Sequence, residues 1–177
     1  MKHTLILIGL CGVLAGCATA NLTVTIDPNE IEVAPASPLA EVTVHDLRAP
    51  GVAASTRQAA FGTPMGNVTF NPPESQLVKS VLEAELTRLM REKGIQEKKK
   101  FSCDIVEFAV NTNTTPLYWD VIGRIRLVLK QDGKEYPLVG SDTQRTYIWP
   151  GEAIIKNVVQ QSLGKIVTDL KSVAIER

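Results

Sequence analysis

Few residues of this chain have the types and the spacing that catalysis requires. His45, the one histidine beyond the first three residues, stands beside Asp46 in a stretch that alternates like a strand. Neighbouring side chains of a strand point to opposite faces, so these two do not form an acid–base dyad. Asp104 and Glu107 are three residues apart in another predicted strand and face opposite ways for the same reason. The pattern therefore predicts a protein that is not an enzyme.

The sequence also lacks the common ligand-binding motifs. No histidine and cysteine cluster has the spacing of a zinc site, no glycine-rich loop ends in Lys-Ser or Lys-Thr, and no Gly-x-Ser-x-Gly elbow occurs. We therefore expect neither a metal nor a cofactor. With 19 basic and 19 acidic residues the formal charge is zero at pH 7, so no long-range field favours nucleic acid as a partner.

The residues with the clearest chemistry stand at the start of the chain. An almost entirely apolar run over residues 5–13 is followed by the small residues Ala15 and Gly16, which is the pattern of a secretion signal. The run is too short to span about 30 Å of hydrocarbon, because that distance needs roughly 20 apolar residues. Residues 14–17, Leu-Ala-Gly-Cys, resemble the processing box of bacterial lipoproteins.

That resemblance implies that residues 1–16 are a lipoprotein signal peptide, which is cut off before Cys17. It also implies that the thiol of Cys17 carries diacylglycerol and that the amine exposed by the cut carries palmitate or a similar acyl chain. Because each buried methylene contributes about 0.8 kcal/mol, two or three chains hold a protein lastingly on a membrane. Ala18 is not the aspartate that resembles an inner-membrane retention signal. We therefore expect attachment to the periplasmic face of the outer membrane. The alternative is an ordinary signal peptide that contains a cysteine.

The third cysteine has no obvious partner. Cys11 lies in the signal and Cys17 is the expected lipidation site, which leaves Cys103 alone. Free cysteine is among the most buried residue types, so we predict a buried, inert thiol rather than a reactive one.

The remaining chain divides into a tether and one domain. Residues 17–38 contain three prolines and are predicted to be a lipidated tether, in which Leu22, Val24 and Ile26 could form a short edge strand. Residues 39–177 are predicted to be a single α+β domain, because the 161 residues that remain after removal of residues 1–16 suffice for one compact core but not comfortably for two.

The first of two predicted amphipathic helices follows an Asn-Pro-Pro-Glu sequence. Asn71 is expected to cap it and Glu74 to complete a capping box. Apolar residues then recur at helical spacing from Leu77 to Met90, and Gly94 is expected to end the helix.

The second helix is predicted to start at Pro150 and to carry an apolar stripe as far as Val173. Gly164 disfavours this helix by about 1 kcal/mol relative to alanine. We therefore expect Gly164 to mark a close approach of the helix to the sheet or to the first helix.

Strands are predicted at residues 41–47, 101–111, 119–130 and 135–149. The Asp132-Gly133 pair between the last two is a strong hairpin signal, and it places Lys130 opposite Glu135. Pro137 lacks an N–H, so the last strand should be unpaired or irregular on its other side. These elements predict an antiparallel sheet of about four strands with two amphipathic helices packed on one face.

Because no catalytic or ligand-binding motif is present, binding to a partner is the expected function of the domain. The candidate partner contacts lie at strand ends, in the irregular segment 49–66 and on the polar face of one strand: Asp46, Arg48, Phe61, Trp119, Arg124, Arg126 and Trp149. Each has a structural alternative. The Asp46 and Arg48 pair could stabilise a turn, the tryptophans could pack in the core, and the arginine row could be the solvent side of the sheet.

Four features follow one another along the chain: the processing box, a Val-x-Val-x-Asp-x-Arg strand at residues 42–48, the Asn-Pro-Pro-Glu helix and a final amphipathic helix. In this order of elements the chain resembles the YajG-like family of small bacterial outer-membrane lipoproteins. This resemblance implies an anchored α+β domain without established catalytic residues. In layout the chain also resembles the LptE-like lipopolysaccharide-assembly lipoproteins, which place two helices on a four-stranded sheet.

We therefore expect a non-enzymatic, lipid-anchored periplasmic accessory or scaffold protein that docks on a larger envelope assembly, such as secretion, flagellar or transport machinery. The alternative is transport or assembly of lipid or lipopolysaccharide, for which Arg124, Arg126 and Lys130 would supply the basic row.

Overall fold

The computed structural model describes residues 21–49, 55–58 and 63–172. In these residues the chain forms seven strands and two long helices. The strands are β1 (Leu22–Thr25), β2 (Ala40–Asp46), β3 (Ser55–Gln58), β4 (Pro64–Asn71), β5 (Lys99–Thr114), β6 (Trp119–Gln131) and β7 (Lys134–Thr146), and the helices are α1 (Glu74–Glu92) and α2 (Glu152–Leu170). Neither α1 nor α2 has the length and apolar character that a membrane-spanning helix needs.

All seven strands form one mixed sheet. The order is β1-β4-β3-β5-β6-β7, and β2 also pairs with β5. β5, β6 and β7 are antiparallel neighbours, whereas the pairs β1–β4, β2–β5 and β3–β5 are parallel. The domain is α+β with two helices, as predicted, but the prediction of an antiparallel sheet of about four strands is wrong.

The unexpected pairings arise from the length of β5. This strand has 16 residues, so one of its edges accommodates two short strands in succession. β2 pairs with β5 from Lys99 to Ile105, and β3 pairs at Asn111. The register shifts between Ile105 and Glu107, at a point that neither short strand reaches. This unpaired stretch of β5 edge lies next to the residues that follow β2. Because of the register shift, Asp104 and Glu107 lie on the same face of the sheet, where each forms an ion pair with β6, so the prediction that they face opposite ways is wrong.

The predicted hairpin between β6 and β7 is confirmed. Asp132 and Gly133 both have positive φ, at 50° and 77°, which the tight turn requires. Lys130 pairs with Glu135 as expected. β7 is the edge strand of the described sheet, so the N–H that Pro137 lacks is not needed by a further strand.

α1 begins differently from the prediction. Its N-cap is Pro73, without a side-chain cap hydrogen bond. Asn71 does not cap the helix because its backbone belongs to β4, where its carbonyl accepts a hydrogen bond from the N–H of Ile26 at 2.9 Å. The end of α1 is as predicted, since Gly94 follows with φ of 72°.

α2 lies directly on β6 and β7, and strand glycines allow this approach. A Cβ on Gly140 would be 1.9 Å from the carbonyl oxygen of Ser162, and a Cβ on Gly123 would be 2.6 Å from Cγ1 of Val158. The prediction that Gly164 marks the close approach is wrong, because no atom of the sheet or of α1 lies within 4 Å of the position that its Cβ would take. The close contact uses glycines of the sheet rather than of the helix.

β1 adds to the same core, although it lies within residues 17–38, the predicted tether. Val24 and Ile26 are at most 1% exposed. Residues of both helices and of the helix-facing side of the sheet join them in one hydrophobic cluster.

Cys103 on β5 is completely buried, as the sequence predicted. Burial and the neighbouring charge of Asp104 raise the pKa of this thiol to about 12.

We expect Cys103 not to react with a maleimide while the domain is folded. At pH 8 a thiol with that pKa is deprotonated in about one molecule in ten thousand, and the reagent does not reach it. The measurement is labelling of a chain in which Cys11 and Cys17 are serine. Labelling should follow the unfolding curve in urea, and rapid labelling without denaturant would contradict the burial of this side chain.

Candidate functional site

The helices cover one face of the sheet and leave the opposite face of β5, β6 and β7 open. Along β6 the burial alternates, with Ile125 and Leu127 at 1% exposure and Arg124 and Arg126 exposed. We call the open side the bare face, and it comprises Asp104, Glu107, Ala109 and Asn111 of β5, Asp120, Ile122, Arg124, Arg126, Val128 and Lys130 of β6, and Glu135, Pro137, Val139, Ser141, Thr143 and Arg145 of β7.

Cross-strand ion pairs occupy most of the charged positions on the bare face. Lys130 Nζ lies 2.8 Å from Asp104 Oδ2 and 3.3 Å from Glu135 Oε1. Arg126 Nε lies 2.6 Å from Glu107 Oε2. Such exposed pairs contribute at most about 1 kcal/mol each to stability, but they leave little uncompensated charge.

Arg124 is the exception at the centre of the bare face. It is exposed, and its cross-strand neighbours are the small residues Ala109 and Ser141. No carboxylate in the described part of the chain forms an ion pair with it. The guanidinium is therefore available to a group from outside the domain.

Asp46 and Arg48 form a structural pair at the edge of β5. Arg48 donates from Nε and Nη2 to the two carboxylate oxygens of Asp46 at 2.8 and 2.5 Å, and from Nη1 to the carbonyl of Phe108 at 3.1 Å. This side chain is only 8% exposed. It therefore fills the stretch of β5 edge between β2 and β3, and its hydrogen bonds hold the pKa of Asp46 below its usual range. The alternative interpretation, a pair that stabilises a turn, fits this geometry.

A small cleft of about 200 Å³ lies where the bare face meets that edge, lined in part by Arg48, Glu107 and Arg126. The cleft brings together predicted contact residues from two distant segments. Because both arginines in it are already paired with carboxylates, it offers no free cation to an anionic ligand.

A second surface forms where β6 begins and β7 ends. We call it the aromatic end, and it comprises Leu117, Tyr118, Trp119, Tyr147, Ile148 and Trp149. The ring centroids of Trp119 and Trp149 are 6.0 Å apart, and those of Tyr118 and Tyr147 are 6.3 Å apart, both pairs being edge to face. The guanidinium carbon of Arg145 lies 3.8 Å from the Tyr118 centroid, which adds a cation–π contact.

Two threonines fix the loops that carry these side chains. Thr115 Oγ1 accepts a hydrogen bond from the N–H of Tyr118 at 3.0 Å, and Thr146 Oγ1 accepts one from the N–H of Ile148 at 3.2 Å. Leu117 is 78% exposed and Ile148 is 77% exposed. Ordered loops therefore hold large apolar side chains out in solvent.

The structure thus separates the predicted contact residues into two groups. Asp46, Arg48, Arg124 and Arg126 lie on the bare face or at its edge, and Trp119 and Trp149 lie together at the aromatic end. Phe61 lies outside the described residues.

Sequence reasoning missed Leu117 and Ile148 as members of the aromatic end. The available signal was the Tyr-Ile-Trp-Pro run at residues 147–150, which has too many consecutive large apolar residues for a strand end to bury. No group of three or more His, Cys, Asp or Glu residues in the described ranges has an arrangement that could hold a metal ion.

Comparison with known proteins adds little to this picture. No family model matches the chain, and no curated protein matches it. A solved structure titled "Crystal structure of uncharacterized protein" matches with a TM-score of 0.48 and 10% sequence identity, covering 88% of this chain and 97% of that one.

Proposed function

We propose that the protein is a non-enzymatic, lipid-anchored accessory protein of the cell envelope, held on the periplasmic face of the outer membrane through Cys17. In this proposal it acts by binding a protein of a larger envelope assembly through the bare face. The observation that carries the proposal is Arg124, an exposed cation at the centre of the bare face that forms no ion pair within residues 21–49, 55–58 and 63–172, whereas the other charges of that face are paired.

The size of the bare face supports a protein partner. β6 and β7 each have 13 residues, and β5 is longer. At about 3.3 Å per residue and about 4.8 Å between strands, three strands give a face of about 43 by 14 Å, or about 600 Å². A protein in a standard interface buries about 800 Å² on each side, so the bare face supplies most of one.

The chemistry of the face defines what a partner must offer. A carboxylate opposite Arg124 would form a charge-assisted hydrogen bond. An apolar side chain would cover Val139, which is 54% exposed and pairs across the strands with Arg126. The paired charges around them suit a polar rim, which is typical of interfaces that form and dissociate.

The alternative, handling of lipid or lipopolysaccharide, would need several free cations for the phosphates. Arg126 and Lys130 are each engaged by carboxylates within 2.8 Å. Arg124 alone does not make an anionic lipid site, so the geometry favours a protein partner.

The experiment places a photoreactive amino acid at Thr143, which is exposed on the bare face, in intact bacterial cells. We expect a crosslink to one discrete envelope protein that Arg124→Glu abolishes and Arg124→Lys retains, since only the first reverses the charge. The control position is Val33, which is 72% exposed and lies near Arg88 of α1, away from the bare face.

Crosslinking that is unchanged by Arg124→Glu, or equal at Val33, would contradict the proposal. Crosslinking to lipopolysaccharide in place of protein would support the alternative. The anchor is tested separately, since Cys17→Ser should move the protein from the membrane fraction to the soluble fraction.

A further inference from the structure

We infer that the aromatic end rests on the membrane that holds the lipid anchor, with the exposed side chains of Leu117, Tyr147, Ile148 and Trp149 at the level of the headgroups. This inference rests on the proposed anchoring at Cys17. It assigns to the aromatic end a lipid surface as its partner, which leaves the bare face to the protein partner.

The composition of the aromatic end suits the boundary between lipid and water. Leu117, Tyr147 and Ile148 are between 72% and 78% exposed, and Trp149 is 43% exposed. Tryptophan and tyrosine combine an apolar ring with one polar group, and they are enriched at the interfaces of membranes for this reason. Leu117 and Ile148, on the two neighbouring loops, supply apolar groups that can enter the acyl region.

The topology brings the start of the described chain to the same end of the sheet. β1 is parallel to β4, β4 is antiparallel to β3, and β3 is parallel to β5. β1 therefore runs opposite to β5. Since β5 ends at the loop that carries Leu117, β1 begins at the end of the sheet where the aromatic end lies.

Contacts with α2 give the same direction independently. The N–H of Thr25, at the end of β1, donates to Glu152 Oε1 at 3.1 Å, and Glu152 is the first residue of α2, three residues after Trp149. Further along, Glu30 pairs with Lys156, one turn into α2. The chain therefore moves away from the aromatic end as it proceeds from Thr25 to Glu30. Asn21, which precedes Thr25, lies toward the aromatic end.

The anchor keeps the start of β1 close to the bilayer. Cys17 precedes Asn21 by four residues, which span at most about 14 Å when fully extended. An acyl chain in the membrane therefore holds near the bilayer the end of the sheet at which β1 begins, and the aromatic end lies at that same end, four strands across the sheet from β1. In this orientation the sheet extends away from the membrane, and the hairpin at Asp132 and Gly133 points into the periplasm.

The two tryptophans make this inference directly measurable. The chain contains two tryptophans, Trp119 and Trp149, and both lie at the aromatic end. The lipidated full chain is reconstituted in vesicles of phosphatidylethanolamine and phosphatidylglycerol in which a fraction of the lipid is brominated near the headgroup. We expect the bromines to quench the tryptophan emission and the emission to shift to shorter wavelength relative to the protein in detergent-free buffer without vesicles.

Two variants separate insertion from mere proximity. Leu117→Asp with Ile148→Asp should lose both the quenching and the shift, because a carboxylate does not enter the acyl region. Val33→Asp, an equally exposed apolar residue on another surface, should retain them. Circular dichroism establishes that each variant is folded, and all three proteins should still sediment with the vesicles through the anchor.

The outcomes distinguish this inference from the proposed anchoring. Wild-type protein that sediments with vesicles but shows unquenched tryptophans would overturn the inference and leave the anchor in place. Fractionation of cells that is unaffected by Cys17→Ser would overturn the anchor itself. A crosslink from Ile148 to a protein or to a second copy of this chain, with no tryptophan quenching, would assign the aromatic end to that partner and overturn the inference.

Discussion

Replacing Gly140 with alanine is expected to lower the free energy of unfolding by about 3 kcal/mol or more. The new Cβ would lie 1.9 Å from the carbonyl oxygen of Ser162 and 3.0 Å from a side-chain carbon of Ile166. The first obstacle is helix backbone, so it cannot be relieved by a rotamer change, and α2 must move off β7. For a chain of this size that loss corresponds to a fall of about 6–12 °C in Tm.

Two further glycines give a graded control for this prediction. Gly123→Ala meets side-chain atoms, Cγ1 of Val158 and Oγ of Ser162, so a smaller loss of about 1–2 kcal/mol is expected. Gly164→Ala meets nothing within 4 Å and should stabilise α2 by up to about 1 kcal/mol. Urea unfolding of the three variants measures the order. Equal stability of the Gly140 and Gly164 variants would contradict the close packing of α2 on the sheet.

The structure was most predictable from the sequence where the alternation of apolar residues and a turn motif indicate the same arrangement of strands. The β6–β7 hairpin was predictable because Asp132-Gly133 specifies the turn and the alternation of apolar residues specifies the faces. Both tryptophans were predicted as contact residues, yet their 6.0 Å ring contact depends on two loops meeting, which spacing along the chain does not encode.

The rest of the sheet could not be predicted from local patterns. β3 is the four-residue segment Ser-Thr-Arg-Gln, which has no apolar alternation and is a strand only because β4 and β5 pair with it. The short edge strand predicted from Leu22, Val24 and Ile26 is confirmed as β1, but nothing in its proline-containing segment indicates that β4 is its partner. Gly140 illustrates the same limit, since its role is visible only once α2 is placed against β7.

The polar side of α1 shows a further gap between pattern and structure. Lys79, Glu83 and Arg91 do not belong to the apolar stripe of α1, and polar residues in such positions are typical of the solvent-facing side of an amphipathic helix. Together with Thr87 these residues recur every four positions, and all four side chains form hydrogen bonds with the backbone of residues 37–42. Lys79 donates to the carbonyl of Val42, and Glu83 accepts from the N–H of the same residue. Thr87 accepts from the N–H groups of Leu39 and Ala40, and Arg91 donates to the carbonyl of Ser37. This row of side chains takes the place of a neighbouring strand on the free edge of β2.

Replacing Thr87 with valine is therefore expected to destabilise the domain by about 2–4 kcal/mol. Thr87 is completely buried, and its hydroxyl accepts hydrogen bonds from the N–H groups of Leu39 and Ala40, each at 3.1 Å. Valine has the same shape, so no cavity forms, but two N–H groups at the start of β2 lose their acceptor. Urea unfolding measures the loss, and faster hydrogen exchange at these two amides would locate it.

Thr87→Ser is the matched control, because it keeps the hydroxyl and removes one methyl group, at a cost of about 1 kcal/mol. If the hydrogen bonds to β2 stabilise the domain, the serine variant must be the more stable of the two despite its smaller side chain. The opposite order would mean that methyl packing outweighs these hydrogen bonds. In that case α1 would stabilise β2 through its apolar stripe, and the polar row from Lys79 to Arg91 would be incidental to the fold.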